Sequence, residues 1–143
     1  MQKVIMTGRA IIVENEKILL VSKNKDFWVV PGGMADNNEN IIECLKRELY
    51  EELGISIEPL NLFYVSELED GRFKNKKIEL FFKCKIVKGL LNEKWQDPDG
   101  MVKFAQFFSL NDLKNIKHFP EFLKDGEWLK EISEEIYKGV FYR

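Results

Sequence analysis

The stretch that organises this chain runs Gly33-Met34-Ala35-Asp36-Asn37-Asn38-Glu39, then seven residues, then Arg47-Glu48-Leu49-Tyr50-Glu51-Glu52-Leu53-Gly54-Ile55. Ile42, Leu45, Leu49 and Leu53 recur at spacings of three and four, which predicts an amphipathic helix over 39–53. Gly54 follows as its C-terminal stop. At 100° per residue, Glu48 and Glu52 lie one turn apart on one face, and Glu51 sits beside them. Three carboxylates on an arc bordering the buried stripe repel one another, and partial burial adds to the cost. Such an arc calls for a cation, and hard oxygen ligands suit Mg²⁺ or Mn²⁺. Arg47 can reach Glu51 at i+4 or brace the loop acid Glu39.

Outward from this stretch the pattern is mostly extended. Phe27 to Val30 is a short aromatic and β-branched run that stops at Pro31-Gly32-Gly33, where glycine tolerates angles closed to other residues. Upstream, Val4 to Val13 and Lys17 to Val21 read as strands around a polar turn at Glu14-Asn15-Glu16. Downstream, Leu60 to Leu68 reads as a strand, Asp70-Gly71 as a turn, and Ile78 to Val87 as an alternating strand. Residues 89–100 read as a polar loop and Met101 to Phe108 as a further strand. Ser109 with Asp112 resembles a capping box opening a short helix through Leu113 and Ile116. Leu129, Ile132 and Ile136 predict a last amphipathic helix. With no repeat or linker, residues 1–143 read as one α/β domain with a mixed sheet.

Bulk composition narrows the function classes. The chain has 143 residues, 45% hydrophobic and 32% charged, as an ordinary globular domain does. A formal charge of −2 argues against a general nucleic-acid binder, yet a metal ion can still draw a phosphorylated ligand. Cys44 and Cys84 read as reduced, buried thiols, and His118 as the lone histidine gives no zinc cluster. No signal segment or membrane-spanning stretch is present, so a cytoplasmic address is expected.

The spacing of Gly33, Glu39, Arg47-Glu48, Glu51-Glu52 and Gly54, with apolar Leu49 and Ile55, resembles the Nudix box in full. Seven fixed residue types would coincide by chance on the order of once in 10⁸ starts. Trp28-Val29-Val30-Pro31-Gly32-Gly33 is similar to that family's entry into the box. The resemblance implies an α/β/α sandwich around a mixed sheet and hydrolysis of a phosphoanhydride in a small-molecule nucleoside diphosphate derivative. It implies that Glu48 and Glu52 hold Mg²⁺ or Mn²⁺ with Glu51 as a third ligand and the Gly33 carbonyl as a further one. By the same resemblance, one of these glutamates activates water, Arg47 orients them, and Glu39 is either structural or a ligand of a second metal. Trp28 and Arg9 are the candidate substrate contacts, although Trp28 reads as core or pocket wall before it reads as a base-stacking residue. Glu93, Asp97 and Asp99 are candidates for an acid beyond the box.

Two rival functions stand beside the hydrolase: a catalytically silent ligand-binding module on the same scaffold, and an isomerase of the isopentenyl-diphosphate type. The isomerase needs a His- and Cys-rich constellation that one histidine cannot supply. The window Asp70-Gly71-Arg72-Phe73 lacks the Pro or Tyr that marks ADP-ribose or diadenosine-polyphosphate enzymes of that family, so the sequence leaves the substrate open. It also leaves the oligomeric state open, a homodimer included.

Overall fold

The computed structural model describes residues 3–71, 75–89, 91, 97–98 and 100–142, with only the backbone of Asp70. The chain begins with β1 (Val4–Ile11), β2 (Val13–Glu14) and β3 (Lys17–Ser22). Asn15 and Glu16 both take positive φ, 51° and 61°, in the two-residue turn that pairs Glu14 with Lys17. Short β4 (Trp28–Val29) and β5 (Gly32–Met34) lead to α1 (Ile41–Leu53). Then come two long strands, β6 (Ser56–Asp70) and β7 (Asn75–Lys88), followed by β8 (Phe104–Ser109), β9 (His118–Phe119) and β10 (Tyr137–Tyr142).

These strands form two mixed sheets. The first has the order β10-β6-β7-β1-β5, with β6–β7 and β1–β5 antiparallel and β10–β6 and β1–β7 parallel. In the second, β8 runs along one edge of β3, β2 and β4 pair with it as well, and β9 lies parallel to β4. The alternation of strand side chains builds a core on each side. Ala10, Ile12, Leu19 and Val21 join Leu45, Leu49 and Leu53 of α1 in one core. Ile11, Ile18 and Leu20 point the other way, into a core with Trp28, Phe81, Leu113, Leu123 and Trp128. Ile18 to Val21 are therefore buried on both faces, as a continuous apolar run requires.

The result is an α/β/α sandwich around mixed sheets, whose second outer layer consists of 3-10 turns: Asp112–Asn115, Glu121–Asp125 and Glu127–Leu129. The Ser109–Asp112 box is present, each backbone N–H donating to the other's side chain at 3.0 and 3.1 Å, but it opens a 3-10 turn rather than a helix. The last helix expected from Leu129, Ile132 and Ile136 does not form. Trp128, fully buried, anchors this segment by donating Nε1–H to the Leu123 carbonyl at 2.7 Å, while Ile132 is left exposed. The Val65 N–H donates to the Ile136 carbonyl, and the chain continues extended as β10 beside β6. Strand pairing supplies the hydrogen bonds a helix would have supplied. Among the described residues no helix is long and apolar enough to cross a membrane.

Candidate functional site

The register of α1 is fixed at both ends. Asn40 caps it by accepting from the Glu43 N–H at 2.8 Å, and Glu43 accepts from the Asn40 N–H at 3.3 Å. At the other end Gly54 takes the left-handed conformation, φ 69°, and donates to the Tyr50 carbonyl. The helix thus starts at Ile41, two residues later than its apolar period predicts, and Glu39 stays in the loop before it. Cys44, Leu45, Leu49 and Leu53 face the core, which sets Glu48 and Glu52 along the border that meets β5.

Arg47 is the hub of the acids. Its Nε and Nη2 donate to the two Glu39 oxygens at 2.7 and 2.9 Å, a bidentate pair. Its Nη1 donates to Glu48 at 3.0 Å and to Glu51 at 3.1 Å, and Nη2 also donates to the Met34 carbonyl. The sequence left Arg47 a choice between Glu51 and Glu39; it takes both. That guanidinium holds the Glu39 carboxyl down to about 2, and the acids around Arg47 raise its own pKa in return.

The other two carboxyls are shifted the opposite way. Burial pushes Glu48 up despite Arg47. Burial pushes Glu52 up to about 8, with Glu48 and Asp97 adding repulsion and Arg9 opposing it. Two glycines make room for them. The Gly32 N–H donates to Glu52 Oε2 at 3.1 Å, and a Cβ on Gly33 would fall 2.4 Å from Glu48 Cδ. Gly33 is thus the floor against which the Glu48 carboxylate lies, and its own carbonyl accepts from Cys44 Sγ at 3.4 Å. Burial raises the Cys44 thiol to about 11, in keeping with an inert packing role.

The acids share one face but do not surround a point: among the described residues no group of three His, Cys, Asp or Glu side chains converges closely enough to hold an ion. Glu48 and Glu51 turn to Arg47, and Glu52 turns to Gly32, as mutually repelling carboxylates do. The donor set still fits a hard divalent cation, because it is all oxygen and two of its carboxyls carry pKa values raised by burial, which a bound charge would reverse.

A cleft of about 530 Å³ opens beside Glu52, lined also by Trp28, Lys25, Lys103, Phe104 and Gln106. Trp28, the expected wall, is buried and packs edge-on against Phe108, with centroids 4.8 Å apart. Lys103 and Gln106 lie on or beside the strand that the sequence places at Met101 to Phe108, where it left the role of the polar residues open; Phe104 was not singled out. Arg9, the other expected contact, donates from Nε to Glu79 Oε2 at 3.0 Å and from Nη1 to the Val30 carbonyl at 3.1 Å. Glu79 was also missed, although a lone acid in the apolar run Ile78 to Val87 marks it. Asp97 is buried, and its Oδ2 accepts from the Val102 N–H at 3.0 Å. Glu93, Asp99, Arg72 and Phe73 lie outside the described residues.

Comparison with known proteins bears on the family and the fold. A family model described as NUDIX domain matches residues 5–132. An 8-oxo-dGTP diphosphatase of Buchnera aphidicola is 39% identical over 72 residues, 50% of this chain and 50% of that protein. An ADP-ribose pyrophosphatase of Methanocaldococcus jannaschii is 32% identical over 110 residues, 74% of this chain and 62% of the other. The chain thus spans about half to three-fifths of the length of these relatives. Among solved structures, the MutT protein from Bacillus halodurans superposes with a TM-score of 0.74 at 22% identity, covering 96% of this chain and 89% of that one. At that identity the likeness is one of fold.

Proposed function

The chain belongs to the Nudix family, and we propose that it is a Mg²⁺- or Mn²⁺-dependent hydrolase that cleaves a phosphoanhydride bond in a nucleoside diphosphate derivative. The observation that carries this reading is the position of Glu52. It belongs to the acid arc of α1 and also lines the neighbouring cleft, so an ion held there meets a substrate seated in the cleft.

In this reading Glu48, Glu51, Glu52 and the Gly33 carbonyl hold the ion. When bound, the ion polarises the phosphoryl oxygens and offsets their charge. Water attacks one phosphorus, the bridging P–O bond breaks, and two phosphate esters leave. Glu52, or Glu51 beside it, takes the proton of the attacking water. Arg47 gathers Glu48 and Glu51 on its Nη1, and Glu39 acts structurally by holding Arg47 through a bidentate pair on Nε and Nη2. Trp28 and Phe104 offer apolar walls for the nucleoside moiety, with Gln106 and Lys103 as polar contacts. In this reading Asp97 anchors the loop by accepting from the Val102 N–H and adds negative charge beside Glu52. A cytoplasmic address completes the reading.

The test is product mass on a panel of nucleoside diphosphate derivatives, with Mg²⁺, with Mn²⁺ and with chelator. Turnover that needs the ion and falls by about 10²–10⁴-fold in Glu52→Gln supports the reading. Undiminished turnover in chelator, with metal content confirmed negligible, overturns it.

A further inference from the structure

Glu79 is a buried acid in the middle of β7, 1% exposed, and it pairs with Arg9 of β1 at 3.0 Å. Burying a charge costs several kcal/mol, and an apolar residue of similar size would commonly stabilise the fold as well or better. Among the described residues its Oε1 has no hydrogen-bond partner, and its Oε2 is engaged by Arg9. Its charge is therefore directed at one guanidinium.

That guanidinium is held in a fixed pose. Arg9 uses Nε for Glu79 and one Nη1 hydrogen for the Val30 carbonyl. An arginine has five N–H donors, so among the described residues three are left. Arg9 lies opposite Gly32 in the β1–β5 register, and Gly32 has no side chain to cover it. The same Gly32 donates its N–H to Glu52. Across one glycine, then, the structure sets the acid arc against an arginine that keeps free donors and part of its surface in solvent.

We propose that Arg9 is a diphosphate-binding residue of this site and that Glu79 is its positioning residue, fixing the guanidinium so that its remaining N–H groups meet phosphoryl oxygens. This rests on the hydrolase reading above. A planar fork held from one side presents its other donors bidentately, which a flexible lysine does not. It also places a fixed positive charge where the leaving phosphate gathers negative charge.

The experiment measures binding of methylenediphosphonate, a hydrolysis-resistant diphosphate, by calorimetry with Mg²⁺. The proteins are wild type, Arg9→Lys, Glu79→Gln, the double variant and Glu48→Gln, each with its melting temperature. Arg9→Lys should lose about tenfold in affinity or more, and Glu79→Gln about three- to tenfold. The double variant should bind no worse than Arg9→Lys alone, because Glu79 acts only through Arg9. If folded Arg9→Lys binds as wild type does, the proposal is overturned. It is overturned equally if Glu79→Gln lowers only the melting temperature, or if the two losses multiply. Loss of binding in Glu48→Gln with none in Arg9→Lys leaves the metal-site reading standing and removes this one. A wild type that does not bind the probe overturns both.

Discussion

Substituting alanine at Gly33 isolates the geometry of the acid arc. The added Cβ would stand 2.4 Å from Glu48 Cδ and 2.6 Å from each of its oxygens, whereas ordinary contact begins at 3.4 Å. The obstacle is the end of a flexible side chain and the backbone there needs no positive φ, so the carboxylate yields rather than the fold. It must retreat by about 1 Å, and a misplacement of that size in a catalytic group costs on the order of 10²-fold in rate. The stability cost is that of an off-rotamer side chain, ~0.5–1.5 kcal/mol, or a fall in Tm below about 6 °C. Gly71→Ala is the control, since among the described residues a Cβ there meets nothing within 4 Å. Gly32→Ala is the contrast: its Cβ would lie 1.9 Å from the Gly8 carbonyl oxygen, at φ +147°, so it should damage the fold itself. The assay is kcat/KM with Mg²⁺ on a substrate the wild type hydrolyses, beside thermal melting. Wild-type kcat/KM in folded Gly33→Ala would refute the placement of Glu48 against Gly33 as a functional contact.

Other perturbations follow from the same geometry. Between pH 4.5 and about 8 the folded, metal-free protein keeps a proton on Glu52 that the unfolded chain has released. That contribution is full below about 4.5 and is lost as pH rises to about 8, a decline on the order of a few kcal/mol. Urea titrations in chelator should show this slope in wild type and not in Glu52→Gln; equal slopes would count against the burial of Glu52. Glu39 has the opposite sign: held down to about 2 by Arg47, it supports stability above about 4.5, and that support fades as pH falls toward 2. Glu39→Gln should therefore flatten the acid limb of the same titration. In the C-terminal segment, Trp128→Ala should cost ~3–5 kcal/mol and Ile132→Ser within about 0.5 kcal/mol. A comparable loss at Ile132 would restore the amphipathic helix that its spacing predicts.

How much was legible in the sequence depended on how local the governing interaction is. The helix of the box, its glycine stop and the shared face of Glu48 and Glu52 follow from a fixed 3.6-residue period, so they were readable without any partner. So were a turn around Asn15-Glu16, read one residue too wide at Glu14, and the alternation of β7. The end of the chain was misread because Leu129, Ile132 and Ile136 satisfy a helical period, while what decided the matter was the unpaired edge of β6 and a pocket for Trp128, both far away in sequence. The same holds in the site. The sequence could place Arg47 within reach of either Glu39 or Glu51, but whether one guanidinium could serve both at once depended on where the Gly33 loop packed. The contact of Glu79 with Arg9 spans 70 residues and exists only because β1 and β7 lie side by side, so no local pattern carries it. Spacing along one helix is set by covalent geometry, and the sequence alone determined it; which carboxyls are buried, and how far that raises their pKa, depends on strands brought in from elsewhere in the chain, and only the tertiary structure decided it.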